Sequence, residues 1–132
     1  MKITIITPTL NSEKTILDTL DSVSGQTYQN IEHLIIDGGS EDQTLKIIGD
    51  YNRKKVKLFK KKTNIYQAIN YGIKKSKGHI IGILGADDIY QNDYVLKNVS
   101  DKFYEDLNIK VIIGSLVYFA NKNYNKIIRY YP

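Results

Sequence analysis

The chain has 132 residues and a formal net charge of +5; 42% of the residues are hydrophobic and 25% are charged. This length suits one compact domain covering residues 1–132, and the composition excludes wholesale disorder. The absence of cysteine excludes a disulfide-stapled scaffold and a thiolate metal site. No apolar run is long enough to span a membrane, and the apolar run at residues 3–6 is too short for a signal-peptide core. Together with the lack of cysteine, this favours a cytoplasmic location.

Strand and helix patterns alternate along the chain. Short runs rich in β-branched residues predict five buried strands, at residues 3–6, 31–36, 56–59, 80–84 and 111–113. Apolar residues at helical spacing predict four helices between and after them, with stripes at 16–23, 45–48, 65–73 and 95–103. Such alternation predicts a mostly parallel sheet built from strand–helix–strand units.

Polar residues at the predicted loops and at the end of the chain complete this pattern. Asn11 or Ser12 is a candidate cap for the first helix, and Ser40 is a candidate cap for the second. The last stretch, residues 121–132, is polar and rich in tyrosine. We expect it to form an edge strand or a tail, with any strand partners in sequence beyond this chain.

Three carboxylates follow the ends of predicted strands. In an open parallel sheet, ligands bind beyond the carboxyl ends of the strands. Asp87 and Asp88 follow one buried run and offer the oxygen ligands that Mg²⁺ or Mn²⁺ prefers, although either carboxylate could instead cap a turn. Asp37 precedes two glycines; it either accepts a hydrogen bond from a nucleobase N–H or closes a tight turn.

Three segments occur in an order and spacing that carry a resemblance: ITIITPTLNSEKTI, SVSGQTYQNIEHLIIDGGSEDQT and NIYQAINYGIKKSKGHIIGILGADD. From Ile3 to Asp88 the chain resembles the family-two inverting glycosyltransferases. The resemblance implies a three-layer α/β/α sandwich of GT-A type with strand order 3-2-1-4. It also implies sugar transfer from a nucleoside-diphosphate sugar, most simply a UDP-sugar, to a saccharide or lipid-linked acceptor, as in bacterial cell-surface polysaccharide biosynthesis.

The resemblance further implies roles for individual residues. Pro8, Leu10 and Glu13 lie where the family contacts the uridine, and Asp37 lies where it binds the uracil ring. The remaining implied roles are those of the acidic pair: Asp87 lies where the ribose or a metal is held, and Asp88 occupies the metal-binding place of a D-x-D-like motif. A Mn²⁺ or Mg²⁺ cofactor follows from this assignment.

The chain departs from the family pattern in two respects. Asn64 and Gln67 stand where a glycine and an aspartate are usual, and Asn64 is kept as a candidate donor contact. No later carboxylate matches the family's catalytic base; those available are Asp93, Asp101, Glu105 and Asp106. We therefore expect the base beyond Pro132, and we interpret the chain as a truncated, donor-binding part of the enzyme.

Seven basic residues crowd the stretch Arg53–Lys62. The stretch is either a solvated edge strand protected by lysines or a surface for an anionic partner, including peripheral contact with the inner face of a membrane. Nucleic acid is not expected, because no recognition-helix pattern accompanies these residues.

Two other functions remain open from the residues alone. A nucleotidyltransferase would need a glycine-rich basic loop after the first strand, where the sequence has residues 7–11, TPTLN. A non-catalytic receiver-like domain would need its acidic pocket at a central strand, whereas the acidic pair here follows the fourth predicted strand.

Overall fold

The computed structural model describes residues 1–51, 55–120 and 123–132. The elements are β1 (Ile3–Thr9), α1 (Ile16–Ser24), β2 (Ile31–Asp37), α2 (Thr44–Asp50), β3 (Val56–Lys60), α3 (Ile65–Lys75), β4 (Ile80–Ile83), α4 (Val95–Glu105), β5 (Leu116–Ala120) and β6 (Asn123–Tyr131). The first four strands and all four helices confirm the predicted alternation.

The first four strands form one parallel sheet in the order β3-β2-β1-β4, which confirms the predicted order. β1 is central: Ile3 is in register with Ile31 of β2 and with Ile80 of β4. β2 is in turn paired with β3, from His33 opposite Val56 onward. Both β1 and β2 are buried along their whole length, as the continuous apolar runs predict.

Helices cover both faces of this sheet. On one face Ile35 of β2 packs with Ile16, Leu20 and Ile48 from α1 and α2. The opposite face is closed by α3, which packs against a cluster that includes Ile6, Leu34, Ile36 and Ala68. A Cβ atom added to Gly72 of α3 would lie 2.6 Å from Ile6 Cγ2, so only glycine lets the helix approach β1 this closely. The arrangement is the predicted three-layer sandwich.

Glu32 ties together the amino-terminal ends of the strands. Its side chain is 4% exposed; Oε1 accepts hydrogen bonds from Thr4 Oγ1 at 2.8 Å and from the Lys77 amide at 2.6 Å. Lys57 Nζ and Lys2 Nζ lie 3.3 and 3.5 Å from Oε2. Burial alone would raise the pKa of Glu32, but the bonds from Thr4, Lys77 and Lys57 and the Lys2 charge lower it from 4.5 to about 2.

His33 is a buried neutral group in β2. It is 1% exposed, and its Nε2 lies 2.8 Å from Thr7 Oγ1 on the neighbouring strand. Within the described part of the chain, its Nδ1 has no hydrogen-bond partner. Burial lowers the pKa of His33 from 6.5 to about 3, because the apolar surroundings disfavour the imidazolium.

Residues 102–132 form a second compact unit, distinct from residues 1–101. In it β5 and β6 pair antiparallel, with Leu116 opposite Tyr131. The predicted strand at 111–113 is wrong: that run has no strand, and Val111 and Ile113 are exposed. An edge strand does form in this stretch, but the expectation that its partner lies in sequence beyond this chain is wrong, because β5 pairs with it. The single domain over 1–132 stays a prediction.

In the ranges that the structure covers, no helix combines the length and apolar character needed to cross a bilayer.

Candidate functional site

A polar cleft opens where β1 and β4 diverge. The last contact between these strands is the bond from the Leu84 amide to the Ile6 carbonyl at 3.0 Å. β1 continues to Thr9, whose carbonyl accepts from Gly38 on the β2 side. Since successive residues of a strand alternate their hydrogen-bonding direction, the nitrogen of Pro8 faces the side that β4 has left. A proline is therefore accommodated there without losing a sheet bond.

The cleft has a volume of about 550 Å³. It lies at the topological switch point of the sheet, because the chain passes from β1 to β2 on one side and reaches β4 on the other. Its walls come from the loop after β1, from the loop before α2 and from the turn after β4. The lining residues are Pro8, Leu10, Asn11, Ser12, Glu13, Lys14, Thr15, Asp42, Ala86 and Asp87.

Asn11 shapes the first wall of the cleft. Its φ of 49° lies in the left-handed region, which asparagine tolerates better than most residues with a Cβ atom. Its amide donates to Ser40 Oγ at 2.9 Å, and its Oδ1 accepts from the Glu41 amide at 2.9 Å. The predicted capping roles of Asn11 and Ser40 are wrong, since both side chains instead join two loops that are about thirty residues apart.

Glu13 and Asp42 extend this junction by reciprocal hydrogen bonds. The Glu13 amide donates to Asp42 Oδ2 at 3.1 Å, while Glu13 Oε2 accepts from the Gln43 amide at 3.0 Å. Hydrogen bonds from Thr44 and from the Glu13 amide outweigh desolvation and lower the pKa of Asp42. Both carboxylates are thus partly used to hold the loops, and one oxygen of Glu13 remains for a ligand.

Asp37 is buried at the end of β2, with 1% of its surface exposed. Its Oδ2 accepts from the amides of Gly39 and Ser40 at 2.9 and 3.0 Å, and its Oδ1 accepts from Ser40 Oγ. The carboxylate therefore closes the tight turn that follows it. An ionised carboxylate offers about four acceptor positions, so one position is left for another donor.

The acidic pair lies in the turn that follows β4. The Asp88 amide donates to the Gly85 carbonyl at 3.1 Å, and Thr19 Oγ1 of α1 lies 3.0 Å from the Ala86 carbonyl and 2.8 Å from that of Asp88. A Cβ atom on Gly85 would lie 2.7 Å from Asp88 Oδ2 and 3.0 Å from Asp87 Oδ1. The glycine thus lets both carboxylates converge over the same backbone position.

The convergence has an electrostatic cost. Burial raises the pKa of Asp88, the neighbouring Asp87 charge raises it further, and the hydrogen bond from Gly85 only partly opposes them. A divalent cation would relieve this repulsion. Mg²⁺ typically takes one or two protein carboxylates and completes its shell with waters and substrate phosphates, so this pair fits such an ion. No group of three or more acidic or histidine ligands occurs among residues 1–51, 55–120 and 123–132.

The structure gathers some of the predicted site residues and separates others. Pro8, Leu10, Glu13 and Asp87 line one cleft, whereas Asp37, Asn64 and Asp88 are not among its lining residues.

Asn64 has a clear local role: its side chain accepts from the Gln67 amide, and the Gln67 side chain accepts from the Asn64 amide. The two residues thus form a reciprocal capping box at the amino-terminal end of α3. This local role explains why Asn64 and Gln67 stand where the family pattern has a glycine and an aspartate.

Sequence reasoning did not identify three residues that build the site. Lys14 brings a cation to the cleft, Asp42 braces Glu13, and Thr19 holds the acidic turn. Thr19 lies between the apolar residues of the first predicted helix and is fully buried, so a polar residue inside that stripe was the available signal. The bond between Asp42 and Glu13 joins distant loops and leaves no such pattern.

Comparisons with known proteins agree with this geometry. The family model described as "Glycosyl transferase family 2" matches residues 4–130. UDP-Glc:alpha-D-GlcNAc-diphosphoundecaprenol beta-1,3-glucosyltransferase WfgD of Escherichia coli is 33% identical over 142 residues, covering 96% of this chain and 55% of WfgD. Glycosyltransferase GlyG of Streptococcus pneumoniae is 32% identical, covering 86% of this chain and 38% of GlyG.

A solved structure shares the fold. S. aureus TarS 1-349 in complex with UDP-GlcNAc matches with a TM-score of 0.75 and 27% identity, over 86% of this chain and 37% of that one. The parallel sheet with its cleft at the β1–β4 fork is of the GT-A type. The chain belongs to glycosyl transferase family 2, and it spans 38% to 55% of the length of GlyG and WfgD.

Proposed function

We propose that this chain supplies the donor-binding part of a glycosyltransferase that uses a UDP-sugar. The observation that carries the proposal is the cleft at the β1–β4 fork, which brings Pro8, Leu10 and Glu13 beside Asp87. The UDP-GlcNAc complex of TarS and the UDP-glucose named as donor for WfgD support a uridine nucleotide. The name of WfgD also supports a lipid-linked acceptor, and a saccharide acceptor is the other form of the proposal.

In this proposal the uridine lies along the first loop and the diphosphate points towards the acidic turn. Leu10, 56% exposed, offers an apolar surface to the ribose and base. Lys14 neutralises phosphate charge, and Asp37 accepts the uracil N3–H through its remaining acceptor position. Asp87 and Asp88 would hold Mn²⁺ or Mg²⁺, which when bound neutralises charge on the departing nucleoside diphosphate.

The chemistry proposed for the whole enzyme is a single displacement with inversion at the anomeric carbon. A base deprotonates the acceptor hydroxyl, whose oxygen then attacks that carbon. We propose that the reaction takes place in the cytoplasm, at the inner face of the membrane where a lipid-linked acceptor would be reached.

Removing the metal is expected to weaken UDP binding at least about tenfold, which corresponds to a loss of about 1.4 kcal/mol. The physical reason is that Asp87 and Asp88 would then face the diphosphate without a cation between them. Calorimetric titration of UDP in Mn²⁺ and in EDTA measures the difference. Asp88→Asn should abolish the response to metal, while the exposed Asp93→Asn serves as the matched control. Equal affinity in both buffers, or an unaltered response in Asp88→Asn, would refute the metal assignment.

UDP is expected to bind about 10- to 150-fold more tightly than CDP. Uracil offers N3–H as a donor where cytosine has a bare acceptor, and a hydrogen bond to a charged group is worth about 1.5–3 kcal/mol. Asp37→Ala should remove most of this preference and leave the metal requirement intact. Calorimetric titration of UDP and of CDP into wild type and into Asp37→Ala gives the ratio of the two affinities for each protein.

Because Asp37 also closes its own turn, a second variant separates the two roles. Asp37→Asn keeps an oxygen for the amides of Gly39 and Ser40 but replaces the other carboxylate oxygen with a donor NH₂. Loss of the UDP preference in a folded Asp37→Asn protein, checked by circular dichroism, supports direct reading of uracil. A folded variant that keeps the preference assigns Asp37 to the turn alone.

A further inference from the structure

A buried polar side chain of α1 reaches across to the turn that follows β4. Thr19 is fully buried, and its Oγ1 lies 3.0 Å from the Ala86 carbonyl oxygen and 2.8 Å from that of Asp88. A hydroxyl has a single proton, so the two carbonyls share it in a three-centre bond. Since Ala86 and Asp88 flank Asp87, this bond fixes the backbone on both sides of that residue.

Two further side chains hold the chain beyond the turn. Ser22 Oγ accepts from the Tyr90 amide at 3.4 Å. Gln26 is 1% exposed; its Nε2 donates to the Asn92 carbonyl at 2.7 Å, and its Oε1 accepts from the Leu96 amide at 2.9 Å. Together with the threonine, these two residues follow intervals of three and four positions, which is the spacing of one helical face.

The segment that these bonds hold has little regular structure of its own. Residues 85–94, all of which the structure describes, lie in neither a helix nor a strand. The chain leaves the sheet at Leu84, whose amide donates to the Ile6 carbonyl. The position of the acidic pair therefore depends on side chains from α1. The same helix begins directly after Thr15, which lines the other wall of the cleft.

Packing alone does not account for a threonine at position 19. Its neighbours on the buried face of α1 are Ile16, Leu20 and Val23, and a valine would have nearly the same shape. Burying a hydroxyl costs free energy unless the hydroxyl is hydrogen-bonded. Residues that orient metal ligands from outside the coordination shell typically change metal affinity by about 10- to 100-fold when they are replaced.

We propose that Thr19 is a positioning residue for the divalent cation. Its hydroxyl holds Asp87 and Asp88 close together before the cation arrives, although their charges repel each other. This assignment rests on the proposed function, because it takes the acidic pair as the metal ligands. The membrane contact predicted for Arg53–Lys62 is separate from this site and stays a prediction, since residues 53 and 54 lie outside the described residues.

Calorimetric titration of UDP at a series of Mn²⁺ concentrations tests the proposal with the 132-residue protein. Thr19→Val removes the hydroxyl and keeps the shape of the side chain. In this variant we expect the Mn²⁺ concentration that gives half of the gain in UDP affinity to rise about 10-fold, while the affinity in EDTA stays within about twofold of wild type. Thr19→Ser restores the hydroxyl and should keep the wild-type response to Mn²⁺.

Thr4→Val is the matched control. Thr4 is equally buried, and its hydroxyl donates to Glu32 at the opposite end of the sheet, so this variant should lose stability without changing the response to Mn²⁺.

Hydrogen exchange in the metal-free protein gives a second readout. The Asp88 amide, which donates to the Gly85 carbonyl, should exchange about fivefold faster in Thr19→Val and at the wild-type rate in Thr4→Val.

Three results would overturn the proposal: a wild-type Mn²⁺ response in Thr19→Val, an equal loss of response in Thr4→Val, or unchanged exchange of the Asp88 amide in Thr19→Val. If Thr19→Val does not fold, as judged by circular dichroism, Thr19→Ala takes its place. Failure of both variants to fold would assign Thr19 to the stability of the fold and would also overturn the proposal.

The wild-type protein separates this inference from the proposed function. A wild-type UDP affinity that is the same with and without Mn²⁺ would refute the metal assignment, and the positioning role with it. A wild-type protein that responds to Mn²⁺, beside a Thr19→Val protein that responds equally, would refute only the positioning role.

Discussion

Replacing Glu32 with glutamine is expected to lower the free energy of unfolding by about 3 kcal/mol at pH 7. The pKa of Glu32 falls from 4.5 to about 2 on folding, and each unit of difference corresponds to about 1.4 kcal/mol. The amide keeps the shape of the side chain but removes the charge that faces Lys2 and Lys57. It also weakens the link between the strands and the Lys77 amide.

The pH dependence gives this prediction a distinctive form. A depressed carboxyl pKa stabilises the fold above the unfolded value of 4.5, and the contribution is lost as the pH falls through about 2. The difference in the free energy of unfolding between wild type and Glu32→Gln should therefore shrink as the pH falls from 4.5 to about 2. Urea unfolding at a series of pH values measures this difference. Asp101→Asn, which removes an exposed ion pair with Lys97, should cost less than about 0.5 kcal/mol. A Glu32→Gln protein as stable as wild type at pH 7 would contradict the assignment.

Acidification from pH 7 to 4.5 is expected to remove about 3 kcal/mol of stability through His33 alone. Burial lowers the pKa of His33 from 6.5 to about 3, so in this window the unfolded chain binds a proton that the folded chain excludes. The contribution is present above pH 6.5 and is lost as the pH falls towards 3. Between pH 6.5 and 4.5 only the His33 contribution is falling, because the Glu32 contribution is lost below pH 4.5, and this range separates the two groups.

Two single-histidine variants isolate the effect. His33→Gln keeps a neutral polar side chain near Thr7, and its stability should be nearly flat between pH 7 and 4.5 relative to wild type. His79→Gln changes the exposed histidine at the surface and should retain the wild-type slope. The measurement is again urea unfolding across pH. If the free energy of unfolding falls equally steeply with pH in wild type and in His33→Gln, then His33 is not the group that causes the loss of stability.

Local patterns were sufficient for much of this fold. The apolar runs of β1 and β2 predict strands buried on both faces, and the helical stripe with Ile16 and Leu20 predicts the face of α1 that packs on the sheet. The strand order came from the family resemblance, since periodicity does not specify neighbours. The expectation that the carboxylates lie at one edge of the sheet came from the general rule for open parallel sheets. The structure confirms the strand order.

Hydrogen bonds between distant parts of the chain could not be predicted from such local patterns. Asn11 and Ser40 have the side chains of typical helix caps, yet the N-cap positions of α1 and α2 are Thr15 and Gln43, and neither makes a side-chain capping hydrogen bond. The two polar side chains are used between loops, because both loops border the same cleft. The apolar run at 111–113 shows the opposite failure: β-branched residues favour an extended backbone, but a strand also requires a pairing partner.

The central claim is that the cleft at the β1–β4 fork binds a uridine nucleotide, and mapping amide chemical shifts in a UDP titration with Mg²⁺ tests it most directly. We expect perturbations at residues 8–15, 37–43 and 85–88, with saturation that depends on the metal. The apolar recess beside His33 and Lys55, at the other end of the sheet, should be unaffected and serves as an internal control. Shifts centred on that recess, or no saturable shifts at the fork, would contradict the account.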